Sequence, residues 1–68
     1  MDLINLYEVL IDNVEIQIWS DATDTEDNII FEGRKYDSYK IVEPYEYCRI
    51  FQIEVDSHGK LYVGIEIE

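Results

Sequence analysis

Cysteine is almost missing from this sequence. Cys48 is the single thiol among 68 residues, so no disulfide can form within the chain. With His58 as the single imidazole, a zinc site built from thiolates and imidazoles is out of reach. The three glycines, Gly33, Gly59 and Gly64, lie too far apart for a phosphate-cradling loop. No internal repeat, low-complexity run or linker is present. Positive charge is scarce as well: five Lys and Arg face sixteen Asp and Glu, for a net charge of −11. That balance opposes direct binding to nucleic acid, where affinity comes largely from cations that displace counterions. It opposes anionic membrane surfaces for the same reason. Long apolar runs are absent too. None approaches the ~20 residues needed to span a bilayer, and Met1-Asp2-Leu3 does not open a basic-then-apolar targeting segment. The expectation is a cytoplasmic protein in a reducing setting.

Apolar residues are plentiful, at 47% of the chain, including six Tyr, two Phe and one Trp. One domain, 1–68, is all this length allows. A domain this small buries only about 60% of its unfolded surface. Its stability must therefore come from an apolar core or from oligomerisation.

Periodicity gives the elements. In "DLINLYEVLI", Leu3, Leu6, Tyr7 and Leu10 fall on one helical stripe. Asp2 is suited to the N-cap, and Asn13 to a left-handed exit. "VEIQIW" (14–19) alternates, with Val14, Ile16 and Ile18 inward and Glu15, Gln17 and Trp19 outward. "NIIFEG" (28–33) predicts a second strand with Ile29 and Phe31 inward and Ile30 and Glu32 outward. "RIFQIEVD" (49–56) places Phe51, Ile53 and Val55 inward and Ile50, Gln52 and Glu54 outward. "SHG" (57–59) is a tight turn with Gly59 in its left-handed position. "KLYVGIEIE" (60–68) returns with Leu61, Val63, Ile65 and Ile67 inward and Tyr62, Gly64, Glu66 and Glu68 outward. Between the hairpins, Pro44 excludes a central strand, leaving a short helical turn over Pro44–Tyr47 or an edge strand. The fold class is α+β: a short N-terminal helix docked on a small, mainly antiparallel sheet of about four strands in two hairpins.

Catalytic and metal-binding motifs fail on spacing. Residues 20–28, "SDATDTEDN", carry four carboxylates between the first two strands. From Asp24, a calcium loop would find oxygen ligands at Asp24, Glu26 and Asn28. It would then meet Ile29 where glycine is needed and Lys35 where the bidentate glutamate belongs. From Asp21 the third and fifth positions are Thr. Sixteen acids make many pairs, so no pair marks an acid–base dyad. His58 reads as an exposed turn residue. Cys48 reads as a half-buried thiol with no histidine nearby in sequence to activate it. No catalytic residue, cofactor or metal is expected.

The outer sheet face remains: Glu15, Gln17, Trp19, Ile30, Glu32, Ile50, Gln52, Glu54, Tyr62 and Glu66. Carboxylates mixed with Trp, Tyr and Ile suggest an interface. The alternatives are simple exposure, or residues 34–47 folding over this face as a second core. Tyr36, Tyr39, Tyr45 and Tyr47 crowd that segment beside Asp37, Glu43 and Glu46. They read as amphipathic rings at the sheet margin, or as hydroxyls offered to a partner's Arg and Lys.

In "DLINLYEVLIDNVEIQIW", "IFEG" and "FQIEVDSHGKLYVGIEIE" the chain resembles small acidic proteins carried by phages and mobile elements of low-GC Gram-positive bacteria. That group includes acidic anti-CRISPR inhibitors that occupy a nucleic-acid channel. The resemblance implies an inhibitor that mimics nucleic-acid phosphates. The expectation is a non-enzymatic module that engages a basic protein surface on a nucleic-acid-binding protein or nuclease. Its expected contacts are Glu15, Trp19, Asp21, Asp24, Glu26, Asp27, Ile30, Glu32, Glu54, Tyr62 and Glu66. Anchoring falls to Trp19, Ile30, Ile50 or Tyr62. The alternative is an assembly protein that oligomerises through the same face.

Overall fold

The two hairpins form where alternation places them, and a parallel pairing joins them. A computed structural model describes residues 1–21 and 28–67. Strands β1 (Glu15–Ser20) and β2 (Ile29–Arg34) pair antiparallel, as do β3 (Arg49–Val55) and β4 (Leu61–Glu66). β1 and β4 run parallel at the centre, giving the order β2-β1-β4-β3. Helices α1 (Leu3–Tyr7) and α2 (Tyr39–Val42) complete an α+β fold. The core consists of Leu3, Leu6 and Tyr7 from α1, Val42 from α2, and Ile16, Ile18, Leu61, Val63 and Ile65 from the two central strands. Every inward residue of β4 is thus buried, as its alternation requires.

Helix α1 is shorter than its apolar stripe. The amides of Val9 and Leu10 both reach the Leu6 carbonyl, at 3.1 and 3.2 Å, and the helix ends there. The Leu10 carbonyl instead accepts a hydrogen bond from Lys35 Nζ at 2.8 Å. Leu10 still packs against the core. The left-handed exit expected at Asn13 does not occur, since no described residue other than glycine has a positive φ. Two backbone bonds to the next segment hold this turn: Lys35 N–H to Val14 O and Tyr36 N–H to Asp12 O, each 2.9 Å.

Two register shifts overturn parts of the inward–outward assignment. Ile18 faces Phe31 but Trp19 faces Ile29, so Ile30 is the extra residue of a bulge. Ile30 packs against the core and Ile29 is 50% exposed, the reverse of the expectation. Ile50 faces Ile65 and Gln52 faces Gly64, so Phe51 is the extra residue in β3. Ile50 turns to the core and Phe51 to the outer face, again reversed. A one-residue insertion flips the side-chain parity beyond it, and alternation alone cannot reveal it. Ile53 and Val55 do share a face with Val63 and Leu61, yet they are 41% and 61% exposed. They sit on an edge strand beyond the cover of the helices.

Residues 34–47 form neither an edge strand nor a lid on the outer face. Two 3₁₀ turns, Lys35–Asp37 and Glu43–Tyr45, flank α2, with Pro44 in the first turn of the second. Val42 joins the α1 side of the core. Both helices therefore cover one face and leave the other without them.

Candidate functional site

The outer face is built of two rows across the sheet. One runs Glu32, Gln17, Tyr62, Glu54, and the other runs Ile29, Trp19, Gly64, Gln52. The bulge inserts Phe51 into the second row. Its ring meets Trp19 edge-to-face with centroids 5.1 Å apart. The contact needs Gly64 beneath it: a Cβ there would lie 2.8 Å from Trp19 Cζ2 and 2.9 Å from Phe51 Cζ. Phe51 stays 41% exposed, so the pair is an aromatic surface rather than a second core.

Carboxylates surround this pair unevenly. Glu32 is bound by Lys60, whose ammonium also lies 5.3 Å from the centroid of the Tyr62 ring. The Lys60 hydrogen bond holds the Glu32 carboxyl below its usual range. Glu54 accepts from the Gln52 amide at 2.7 Å. Glu66 sits opposite Arg49, and Glu15 opposite Arg34, at the ends of the ladders. Arg34 is directed to the Asn13 carbonyl at 2.8 Å. Asp21 is exposed, and its carboxylate accepts the Ile67 N–H at 3.2 Å, tying the end of β1 to the end of β4. Asp24, Glu26 and Asp27 lie outside the described residues.

Of the anticipated contact residues, the register therefore groups Glu15, Trp19, Glu32, Glu54, Tyr62 and Glu66 on one face. Ile30 and Ile50 leave that group for the core. Phe51 and Gly64 enter it. A glycine inside an alternating strand is a known sign of close approach, so Gly64 was the readable clue. No pattern in the sequence announces Phe51.

The β3–β4 turn is organised by one carboxylate. Asp56 Oδ1 accepts the backbone N–H groups of His58 at 2.8 Å and Lys60 at 3.0 Å, and Oδ2 accepts the Tyr62 hydroxyl at 3.3 Å. The Lys60 and His58 amides together hold the Asp56 carboxyl low. Gly59 takes the left-handed position at φ +87°. His58 is an exposed turn residue, as its place in "SHG" suggests.

The helix-bearing face carries a polar cluster that periodicity did not indicate. Lys35 is 3% exposed. Its ammonium contacts Leu10 O and, at 3.4 Å, Asp12 Oδ1, and it lies 5.2 and 5.4 Å from the Tyr7 and Tyr39 ring centroids. Burial alone would lower the Lys35 pKa, but Tyr39 and Asp12 outweigh it and the net direction is upward. The Tyr39 hydroxyl donates to Asp12 at 2.7 Å and, with Lys35, holds that carboxyl low. The Ser38 hydroxyl donates to Lys35 O at 2.7 Å. Its one proton is thereby used, so the 2.6 Å contact with Tyr7 has the Tyr7 hydroxyl as donor. Burial pushes the Tyr7 hydroxyl up.

Beside this cluster, a cleft of about 220 Å³ opens between α1 and α2. Leu3, Ile4, Tyr7, Tyr39 and Val42 form its walls, and Glu8 and Glu46 are its carboxylates. Cys48 lies half-buried against the core, its thiol pushed up by burial and then by Asp2. Among the described residues, no group of three or more His, Cys, Asp or Glu is placed to hold a metal ion. No described helix is long and apolar enough to cross a membrane.

Comparison with protein-family models, with curated proteins and with solved structures gives no match. The functional reading therefore rests on the chemistry of these surfaces.

Proposed function

We propose that this chain is a non-enzymatic binding module whose outer sheet face engages a basic surface of a nucleic-acid-handling protein. The carrying observation is the pair of half-buried Trp19 and exposed Phe51 on a sheet face edged by Glu15, Glu32, Glu54 and Glu66. Aromatic rings supply contact area at little entropic cost and recur as interface anchors. The carboxylates, with the −11 net charge, steer encounter with Arg- and Lys-rich surfaces and stand where phosphates would. Asp21, Asp24, Glu26 and Asp27, which follow Trp19 in the sequence, add four carboxylates to this charge. The sequence resemblance to acidic mobile-element proteins agrees with an inhibitor of this kind, comparable to the anti-CRISPR proteins. The cytoplasm, where such partners work, is the proposed compartment.

The test is capture of partners from a bacterial lysate at low salt and at ~0.5 M salt, with Trp19→Ala beside the parent chain. Screening at the higher salt should release a complex driven by charge, and Trp19→Ala should weaken capture at low salt. Recovery of no basic protein at low salt overturns the proposal.

One observation favours a second reading, self-assembly. Strand β3 is a sheet edge paired at its start by Met1 and Asp2, and beyond that point Phe51, Ile53 and Val55 are all exposed. An open apolar edge is a template for pairing with another chain. This reading requires an oligomer that survives high salt, which light scattering distinguishes from the first.

A further inference from the structure

The cleft between α1 and α2 lies on the helix-bearing side of the sheet, opposite the Trp19–Phe51 pair, and the outer-face reading makes no use of it. At about 220 Å³ it has room for one side chain rather than a metabolite-sized ligand. Its walls are apolar and aromatic, from Leu3, Tyr7, Tyr39 and Val42, while Glu8 and Glu46 contribute carboxylates. A purely apolar occupant would strip water from those carboxylates and return no hydrogen bond. An anion would meet them, and the −11 charge of the chain, with repulsion.

We infer that this cleft receives an arginine side chain from a protein partner. Its methylene stem would lie along Leu3 and Val42, as long basic side chains do on apolar surfaces. Its guanidinium would donate to the Glu8 and Glu46 carboxylates, a geometry in which arginine offers up to five N–H groups. The two tyrosine rings are compatible with a cation, because Lys35 already lies 5.2 and 5.4 Å from their centroids. Lys35 does not satisfy the cleft itself. Its ammonium is committed to Leu10 O and Asp12, and the Asp12 carboxylate offsets its charge.

The test uses ¹⁵N-labelled protein titrated with N-acetyl-arginine N-methylamide, with the norleucine analogue as the uncharged probe. The expected result is saturable shifts at the amides of Leu3, Ile4, Tyr7, Val42 and Glu46, with affinity of roughly millimolar order for a single side chain. The variant Glu8→Gln/Glu46→Gln should weaken binding roughly three- to tenfold, and Trp19→Ala should leave it unchanged. Glu8 is exposed, so Glu8→Gln alone serves if the double variant does not fold. Three results would each overturn the inference: equal binding of the norleucine probe, shifts dispersed over the acidic surface, or full affinity in the glutamine variants. Partner capture through the outer face is scored separately with Trp19→Ala, so the two surfaces fail independently.

Discussion

Trp19 and Phe51 stand at 86° to one another, and the edge-to-face contact sits over the only residue of β4 that lacks a side chain, Gly64. The relationship makes Gly64→Ala a sharp probe. The added methyl would enter space held by both rings, so they must separate or the strand must shift. We expect a loss of about 1–3 kcal/mol, as overpacking usually costs, and an altered near-UV circular dichroism signal from Trp19. Unchanged stability and an unchanged aromatic signal would remove the pair from the proposed surface.

The proton inventory around Ser38 gives a second expectation. Since Tyr7 donates to Ser38, Tyr7→Phe deletes a donor and leaves the ring in place. We expect a cost of about 1 kcal/mol, seen as a fall of roughly 4–8 °C in the unfolding midpoint for a domain near this size. Ser38→Ala removes both bonds and should cost more, because the buried Tyr7 hydroxyl then loses its acceptor. Equal effects from the two variants would mean that the hydroxyls are not linked in series.

Acid and alkali should act through different residues. Asp12, Glu32 and Asp56 have lowered pKa values in the fold. Their contribution is present above the usual carboxylate range, near pH 4, and is lost as pH falls through the folded values. Tyr7 and Lys35 are raised, so their contribution is complete below about pH 10 and is lost as pH rises beyond it. Denaturant unfolding across pH should therefore give a plateau with losses at both ends. In Lys60→Gln, NMR titration should find the Glu32 carboxyl returned toward its ordinary range. A Glu32 titration that ignores Lys60 would disprove that pairing.

The edge strand permits a direct test of assembly. Ile53 faces Val63 in register but remains partly in water. A lysine there is the device by which natural sheets discourage edge pairing. Ile53→Lys should reduce any salt-resistant self-association seen by light scattering while leaving the arginine-probe titration unchanged. Persistence of the oligomer would place its contact elsewhere.

Central strands were legible because burial enforces parity. Ile16, Ile18, Leu61, Val63 and Ile65 alternate in sequence and all are buried. The outer strands were less so, because β2 and β3 each carry an extra residue, Ile30 and Phe51, that moves neighbouring side chains to the other face. Residues 34–47 were hardest to read. Their order depends on Val42 reaching the core and on Lys35 reaching Leu10 and Asp12, contacts that no local period encodes. The acidic character of the candidate surface was readable from composition. Its aromatic centre was only half visible, in Trp19 and Gly64 but not in Phe51.

The parallel union of β1 and β4 also sets the order in which the molecule can be built. During synthesis, residues 15–20 emerge ahead of 61–66, and the β1–β2 hairpin can close with only local chain. The neighbour that completes β1 spans 61–66, so Ile16 and Ile18 must wait for Leu61, Val63 and Ile65. Contacts between such distant segments slow folding, because the connecting chain must be ordered before they form. Any ribosome-bound intermediate therefore holds one side of β1 open until β4 arrives. During that interval, the excess of acidic over basic residues already made acts as the molecule's own protection against association.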